Sequence, residues 1–382
     1  MCVQIGDKSR RPAHTGRHDC IDRRAVRHEK SVLLSSRTAR YCDHPAGRIG
    51  QTVFAVVIPV HTQKPQKQKL GVLVGPTAAG KTALSIYLAR FLPDLTVVSA
   101  DSRQVYRLMD IGTAKPSPEE QAVVPHECIN IRFPNEPYSA GMFGKESREV
   151  IFRLLRENKR PLVVGGSGLY IRALLDGLFE GELTDPEIRT RLREEIHVKG
   201  LQGLYERLRK LDPESARKIH ANDEQRILRA LEIIEITGEP RSVFLARMKS
   251  ESPFEPVIYG LTMDRAKLYQ RIEARVDRMI QAGLAAEVEN LRRLGYKREL
   301  RALQTVGYKE MYACLEGEIS LEEAVRLIKR NTRRFAKRQW TWFRADKRIR
   351  WIEIEPETDF ERLAESLAAE IKGHGKIGGV RK

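Results

Sequence analysis

LGVLVGPTAAGKTALSIYLAR, Leu70 to Arg90, decides the fold. Leu70 to Val74 is a short apolar run, Gly75 to Thr82 spell G-x-x-x-x-G-K-[ST], and Leu84, Ile86, Tyr87, Leu88 and Phe91 then recur at helical spacing. The spacing predicts a strand, a tight loop and a helix. The backbone N–H groups of Gly80, Lys81 and Thr82 point outward at the helix start without intrahelical partners, and an oligophosphate satisfies them. Lys81 adds a positive charge and Thr82 a hydroxyl able to reach Mg²⁺, while the glycines let the backbone wrap an anion with no Cβ in the way. Gly75, Pro76, Thr77, Ala78, Ala79, Gly80, Lys81 and Thr82 are thus the expected diphosphate-binding residues, with Thr82 the metal ligand. The alternative is a glycine-rich turn that binds nothing, which the flanking strand and helix argue against. The loop asks for a diphosphate or longer and does not specify ATP.

Downstream, Leu95 to Val98 reads as a second strand ending at Ser99, Ala100 and Asp101. Pro161 to Val164 reads as a third, running through Gly165-Gly166-Ser167-Gly168 into a helix from Leu169. Alternating strands and helices make an α/β fold, a P-loop NTPase-like parallel sheet flanked by helices, whose ligands sit at the carboxyl ends of the strands. Asp101 and Ser167 belong there, beside the loop. From Asp185 to about Met248 the chain is charged helix with no convincing strand, an all-helical insertion domain. A strand near Pro256 to Leu261 re-enters the sheet, followed by a helix from Asp264 with the stripe Leu268, Ile272, Val276, Met279 and Ile280. Arg271, Arg275 and Arg278 share a neighbouring face of that helix. A last basic helix, Leu321 to Arg344, precedes the strand IRWIEIE. The expected organisation is a leader over 1–67, a catalytic core over 68–182 and 252–372, an insertion over 183–251 and a tail over 373–382.

With 382 residues, 41% hydrophobic and 31% charged, the composition is that of a globular protein with a sizeable core. The run Val53 to Val60 is too short to span a bilayer, so no membrane partner is expected. The net charge is +17, but residues 1–69 carry 14 Lys and Arg against five acids, a net +9 and more than half the excess. That leader lacks hydrophobic periodicity, so it is expected to be disordered or to precede the true start, no Met occurring between Met1 and Met109. An organellar transit peptide is disfavoured by its acids and by the lack of a clear amphipathic helix. Cys2, Cys20, Cys42, Cys128 and Cys314 form no C-x-x-C pair, which supports neither a disulfide framework nor a zinc site. A cytoplasmic location follows as the default.

Two chemistries fit these features. A small-molecule kinase using ATP would take Asp101 as a Mg²⁺ ligand, although a helix N-cap is the bland role for an Asp at a strand end. The lack of an N-K-x-D sequence argues against a switch GTPase. Further stretches go beyond what a kinase requires: DSRQVYR (Asp101 to Arg107), DIGTAKP (Asp110 to Pro116), VVGGSGLY (Val163 to Tyr170), IHANDEQRILRALE (Ile219 to Glu232), TVGYKE (Thr305 to Glu310) and TRRFAKRQWTWFR (Thr332 to Arg344). Together and in this order, over about residues 68 to 355, they resemble the bacterial tRNA dimethylallyltransferases.

The resemblance implies that the loop holds the diphosphate of dimethylallyl diphosphate, and that the five-carbon group passes to the exocyclic amine of the adenosine 3′ of the anticodon, position 37 of tRNA. It implies Asp101 as general base, with Lys81, Thr82 and Arg275 stabilising the departing diphosphate and Mg²⁺ as cofactor. Arg275 is otherwise an ordinary surface arginine on a helix rich in them. The residues it assigns to the tRNA anticodon loop are Asp101, Ser102, Arg103, Gln104, Ser167, Arg189, Gln225, Arg226, Ile227, Leu228, Arg229, Gln304, Thr305, Val306, Gly307, Tyr308 and Lys309. Arg326 to Arg344 adds eight Lys and Arg and no acid, interleaved with Phe335, Trp340, Trp342 and Phe343. Its basic face suits RNA, while most of its aromatics are expected in the core. Ser167 stands where the family usually has Thr, and Gln304 where some relatives have a basic residue. After Cys314 there is a single His and no Cys, so the zinc finger of the eukaryotic branch is not expected. A monomer is expected.

Overall fold

Six strands form one parallel sheet in the order β3-β2-β4-β1-β5-β6, where β1 is Gln68–Val74, β2 Leu95–Ser99, β3 His126–Glu127, β4 Arg160–Gly165, β5 Phe254–Thr262 and β6 Ile349–Glu353. The computed structural model describes residues 67–177, 183–248 and 252–374. Every residue of β2 is buried, and every residue of β4 after Arg160, as expected of strands covered on both faces. Side chains alternate between those faces. Leu73, Val97 and Leu162 point to one core, while Val72, Val74, Val98 and Val163 point to the other.

The first of these cores is closed by α1 (Lys81–Phe91), which packs against the sheet and against the C-terminal helix. The second lies under α3 (Ala140–Arg156) and α4 (Gly168–Asp176), with α2 (Pro118–Val123) a short capped turn before β3. Four helices make up residues 183–248: α5 (Pro186–Leu211), bent at Gly200, then α6 (Pro213–Lys218), α7 (Glu224–Thr237) and α8 (Arg241–Arg247). They hold a separate core of Leu192, Leu204, Leu208, Ile227 and Leu231. After β5 come α9 (Arg265–Gln281), α10 (Leu284–Arg293), α11 (Tyr308–Leu315) and α12 (Leu321–Arg344), and α13 (Phe360–His374) follows β6. Asp264 caps α9, and Leu268, Ile272 and Val276 are its buried stripe, with Met279 and Ile280 at the margin.

One strand has no counterpart in the sequence reading, and one expectation is corrected. β3 has only two residues and carried no readable sequence pattern. On α12 only Phe343 of the four aromatics is buried; Phe335 and Trp342 are exposed and Trp340 is half-buried, because the helix lies on the rim of the sheet and one side faces solvent. The readings of the leader and of the C-terminal tail fall on residues outside the described ones, save Lys67 and the end of α13. Among the described residues no helix is long and apolar enough to cross a membrane.

Candidate active site

Parallel strands put their carboxyl ends on one edge, and there the ladder closes with Val74 opposite Gly165 and Ser99 opposite Val164. Beyond Val74 the backbone turns at Gly75, whose φ of 147° disfavours any side chain and whose Cβ would lie 2.7 Å from the Leu261 carbonyl oxygen. Gly80, left-handed, starts α1 without a side-chain cap and without an acid in the first turn. The first intrahelical bond runs from Leu84 N–H to Gly80 O, so the N–H groups of Lys81, Thr82 and Ala83 precede it and are open to an anion.

Two cations border this loop. Lys81 Nζ donates to the carbonyls of Gly75 at 3.0 Å and Pro76 at 2.8 Å. Burial pulls its pKa down to about 8, helped by the Arg275 charge and opposed by Asp101. Arg275, projected from α9, donates from Nη1 to Thr77 Oγ1 at 3.2 Å. Burial lowers its pKa too, against the attraction of Asp101, and a guanidinium so shifted still carries its charge at neutral pH. The Thr82 hydroxyl makes no hydrogen bond among the described residues. Nor do these residues contain a cluster of three or more His, Cys, Asp or Glu suited to a metal. The donor set therefore fits a hard ion that arrives on a phosphate and takes one protein hydroxyl, which is how Mg²⁺ is usually held, and does not fit a protein-built cage.

Beside the cations, the ends of β2 and β4 are joined through Ser167, whose Oγ accepts from Ser102 N–H at 2.9 Å and donates to Ser102 Oγ at 3.2 Å. Asp101 Oδ1 accepts from the N–H groups of Arg103 at 2.8 Å and Gln104 at 3.4 Å. The carboxylate thus caps a turn and no helix. Its Oδ2 accepts no hydrogen bond among the described residues, leaving one oxygen free to take a proton.

Gln104 faces inward. Its Oε1 accepts from Ser99 Oγ at 3.0 Å and its Nε2 donates to Ala114 O at 3.1 Å, latching DSRQVYR to DIGTAKP. Lys115 tightens the same knot, donating to Tyr106 O, Asp110 Oδ1 and Asn130 Oδ1. Glu287 of α10 closes it by accepting from the N–H groups of Asp110, Ile111 and Gly112 at 2.9, 2.7 and 3.1 Å, and from the Tyr308 hydroxyl at 2.6 Å. Sequence reasoning missed Glu287. It also missed Gln339 of α12, which accepts from Thr77 N–H and donates to Gly166 O, both at 2.9 Å. Neither carries a local signal, since their partners are distant in sequence and, apart from the Tyr308 hydroxyl, are backbone atoms.

The outer residues divide. Ile227 and Leu228 are buried in the core of α5–α8, so their side chains do not reach a ligand; the helical period turns Gln225 and Arg226 outward instead. Arg189 Nη2 and Arg229 Nη1 reach Glu232 Oε2 at 3.1 and 2.7 Å, and Glu232 is 0% exposed, so both arginines neutralise a buried carboxylate. Tyr308 is fully buried beneath Gly112, and Gly307 is buried with it, so neither presents a surface. Val306 packs at the margin of the same core and Thr305 is half-buried, while Gln304 and Lys309 are exposed. Arg103 bridges back, donating from Nη1 to Arg301 O at 3.1 Å. Along α12, Arg334, Lys337, Arg338 and Arg344 are exposed beside Phe335 and Trp342.

The family model described as IPP transferase matches residues 104–346. A protein of Carboxydothermus hydrogenoformans called tRNA dimethylallyltransferase is 49% identical over 305 residues, 79% of this chain and 97% of the relative. Among solved structures, the tRNA isopentenylpyrophosphate transferase of Bacillus halodurans is 40% identical with a TM-score of 0.59, covering 81% of this chain and 98% of its own. A eukaryotic dimethylallyltransferase acting on tRNA is 27% identical with a TM-score of 0.70, covering 82% of each chain.

Proposed function

We propose that this chain, which belongs to the IPP transferase family of tRNA dimethylallyltransferases, moves the dimethylallyl group of dimethylallyl diphosphate onto the N6 amine of the adenosine at position 37 of tRNA, releasing diphosphate. One observation carries the reading at the level of the site. At the carboxyl edge of the sheet a phosphate loop carrying two cations, Lys81 on the Gly75 and Pro76 carbonyls and Arg275 on Thr77, shares its edge with a carboxylate, Asp101, that has one oxygen without a hydrogen bond among the described residues.

The chemistry follows from that placement. An adenine N6 lone pair is delocalised into the ring, so the amine is a weak nucleophile until a base takes its proton; Asp101 Oδ2 is that base. N6 forms a bond to C1 of the prenyl group as the C1–O bond breaks and its electron pair leaves on the diphosphate. Lys81, Arg275 and the open N–H groups of the loop hold the negative charge that develops there. Mg²⁺, bound to Thr82 and the phosphates, would add Lewis-acid stabilisation of the same leaving group. The target base must leave the anticodon-loop stack to reach this edge. Ser102, Ser167, Gln225, Arg226, Gln304, Lys309 and the exposed cations of α12 supply surface for the RNA around it, while Gln104, Ile227, Leu228 and Tyr308 support that surface from within. The protein acts as a monomer in the cytoplasm, where its RNA substrate is.

The test offers the purified protein radiolabelled dimethylallyl diphosphate or ATP, with Mg²⁺ and an unmodified anticodon stem-loop carrying adenosine 3′ of the anticodon. Label enters the RNA from the prenyl donor alone. Consumption of ATP with small metabolites and no prenyl transfer would instead identify a kinase.

A further inference from the structure

We propose that Gln339 is a positioning residue that fixes the spacing between the two substrates, an inference resting on the reading of the loop as the donor side and of Asp101 and Ser167 as the acceptor side. The β1–β4 ladder ends with Val74 opposite Gly165. Past that pair the strands diverge, β1 into the phosphate loop and β4 into the turn that carries Ser167. Gln339 spans the gap. Its Oε1 accepts from Thr77 N–H and its Nε2 donates to Gly166 O, each at 2.9 Å, and the residue is 6% exposed.

The bridge needs one acceptor and one donor at the end of a single side chain, which an uncharged amide supplies at any pH and a carboxylate does not. The site is built for it. A Cβ on Gly166 would lie 2.3 Å from Nε2, so the amide fits because that residue is glycine. Thr77 is held twice, by Gln339 at its N–H and by Arg275 at its hydroxyl, and Gly166 directly precedes the serine that ties down Ser102. Gln339 therefore links Thr77, which accepts from the diphosphate arginine, to Gly166, the neighbour of the serine on the acceptor side. Transfer requires amine, C1 and leaving oxygen in line, and a misplacement of about 1 Å can cost up to about 10²-fold in rate.

The experiment uses the full chain and three variants, with kcat and both KM values measured under saturating co-substrate. Q339M removes the bridge at similar volume. G166A expels Nε2 from the other side, and the clash falls on the far end of a flexible side chain, so the fold tolerates it. In both, kcat falls about 10- to 100-fold while the KM values for dimethylallyl diphosphate and tRNA stay within about threefold, a split that loss of folded protein does not produce. Q339E keeps the shape and can donate to Gly166 O only when protonated. Its kcat, taken as a ratio to the wild type at each pH, rises as the pH falls from 8 to 5.5. The inference is overturned if kcat is unchanged in Q339M and G166A, if only the KM for the prenyl donor moves, or if the Q339E ratio is flat with pH. A wild-type protein that transfers no prenyl group sinks the functional reading and this inference together. An active wild type with indifferent variants sinks the inference alone.

Discussion

Arg275 donates a hydrogen bond from Nη1 to Thr77 Oγ1 at 3.2 Å, joining α9 to the phosphate loop across 198 residues of sequence. With Lys81 on the Gly75 and Pro76 carbonyls, the loop has two cations in place before any anion arrives. That arrangement has a pH signature. The Lys81 pKa is lowered to about 8, chiefly by burial, so the empty site loses a positive charge as the pH rises through 8. Affinity for dimethylallyl diphosphate, measured calorimetrically, should fall about tenfold between pH 7 and pH 9, and Lys81→Met should abolish this dependence. For folding the sign is reversed. A lysine whose folded pKa lies below its unfolded value of 10.5 costs stability in full below pH 8, and the cost is relieved between 8 and 10.5. Chemical denaturation across that window should show the wild type gaining stability relative to Lys81→Met.

Asp101 has two jobs on two oxygens, and substitutions separate them. Asp101→Asn keeps an oxygen to accept from the Arg103 and Gln104 N–H groups and removes the base, so kcat should drop roughly 10²–10⁴-fold with thermal stability and prenyl-donor binding intact. Asp101→Ala loses the cap as well and should show a lower Tm besides. If Asp101→Asn retains most of the activity, proton removal belongs to another group.

Arginines in the helical insertion should behave differently from one another. Arg226 is exposed and among the described residues pairs only with neighbouring Asp223, so Arg226→Ala should raise KM for tRNA, and not for the prenyl donor, at unchanged stability. Arg229→Ala leaves buried Glu232 short of a partner and should cost on the order of 1–3 kcal/mol by denaturant unfolding. Arg229→Ala combined with Glu232→Gln should recover part of that loss. No recovery would mean that the guanidinium stabilises the fold through other contacts, the Leu183 carbonyl first among them.

Glu287 holds three consecutive N–H groups and a phenol. Glu287→Gln presents an amide donor to those donors, so DIGTAKP should come loose while the sheet stays folded. Hydrogen exchange should speed up at Asp110, Ile111 and Gly112, and kcat/KM for tRNA should fall by about tenfold or more, the loss of one charged hydrogen-bond acceptor. Unchanged exchange at those amides would refute the anchoring role.

How much of this was legible in the sequence depended on whether the signal was local. The loop from Gly75 to Thr82 was legible because strand, turn and helix start are contiguous, and α12 was legible because its flanking Ser320 caps a long amphipathic run. The edge where Asp101 and Ser167 meet followed from strand polarity alone. Gln339 and Glu287 stayed hidden because they bind backbone atoms 262 and up to 177 residues away, and backbone has no residue identity to read. Ile227 and Leu228 were misread for a different reason. Taking Gln225 to Arg229 as one block ignored the helical period, which turns two of the five side chains into the core. Trp342 and Phe335 were misread by treating aromatic character as burial, which fails on a rim helix.

Lys81 at rest has consequences for inhibitor design. Its ammonium already donates to two carbonyls, so an incoming anion must win the lysine from the loop, and measured affinity is a difference between two satisfied states. A competitor that leaves Lys81 on Gly75 and Pro76 and engages the open N–H groups of α1 would avoid that exchange. Such a molecule could carry less negative charge than the natural donor without binding less tightly.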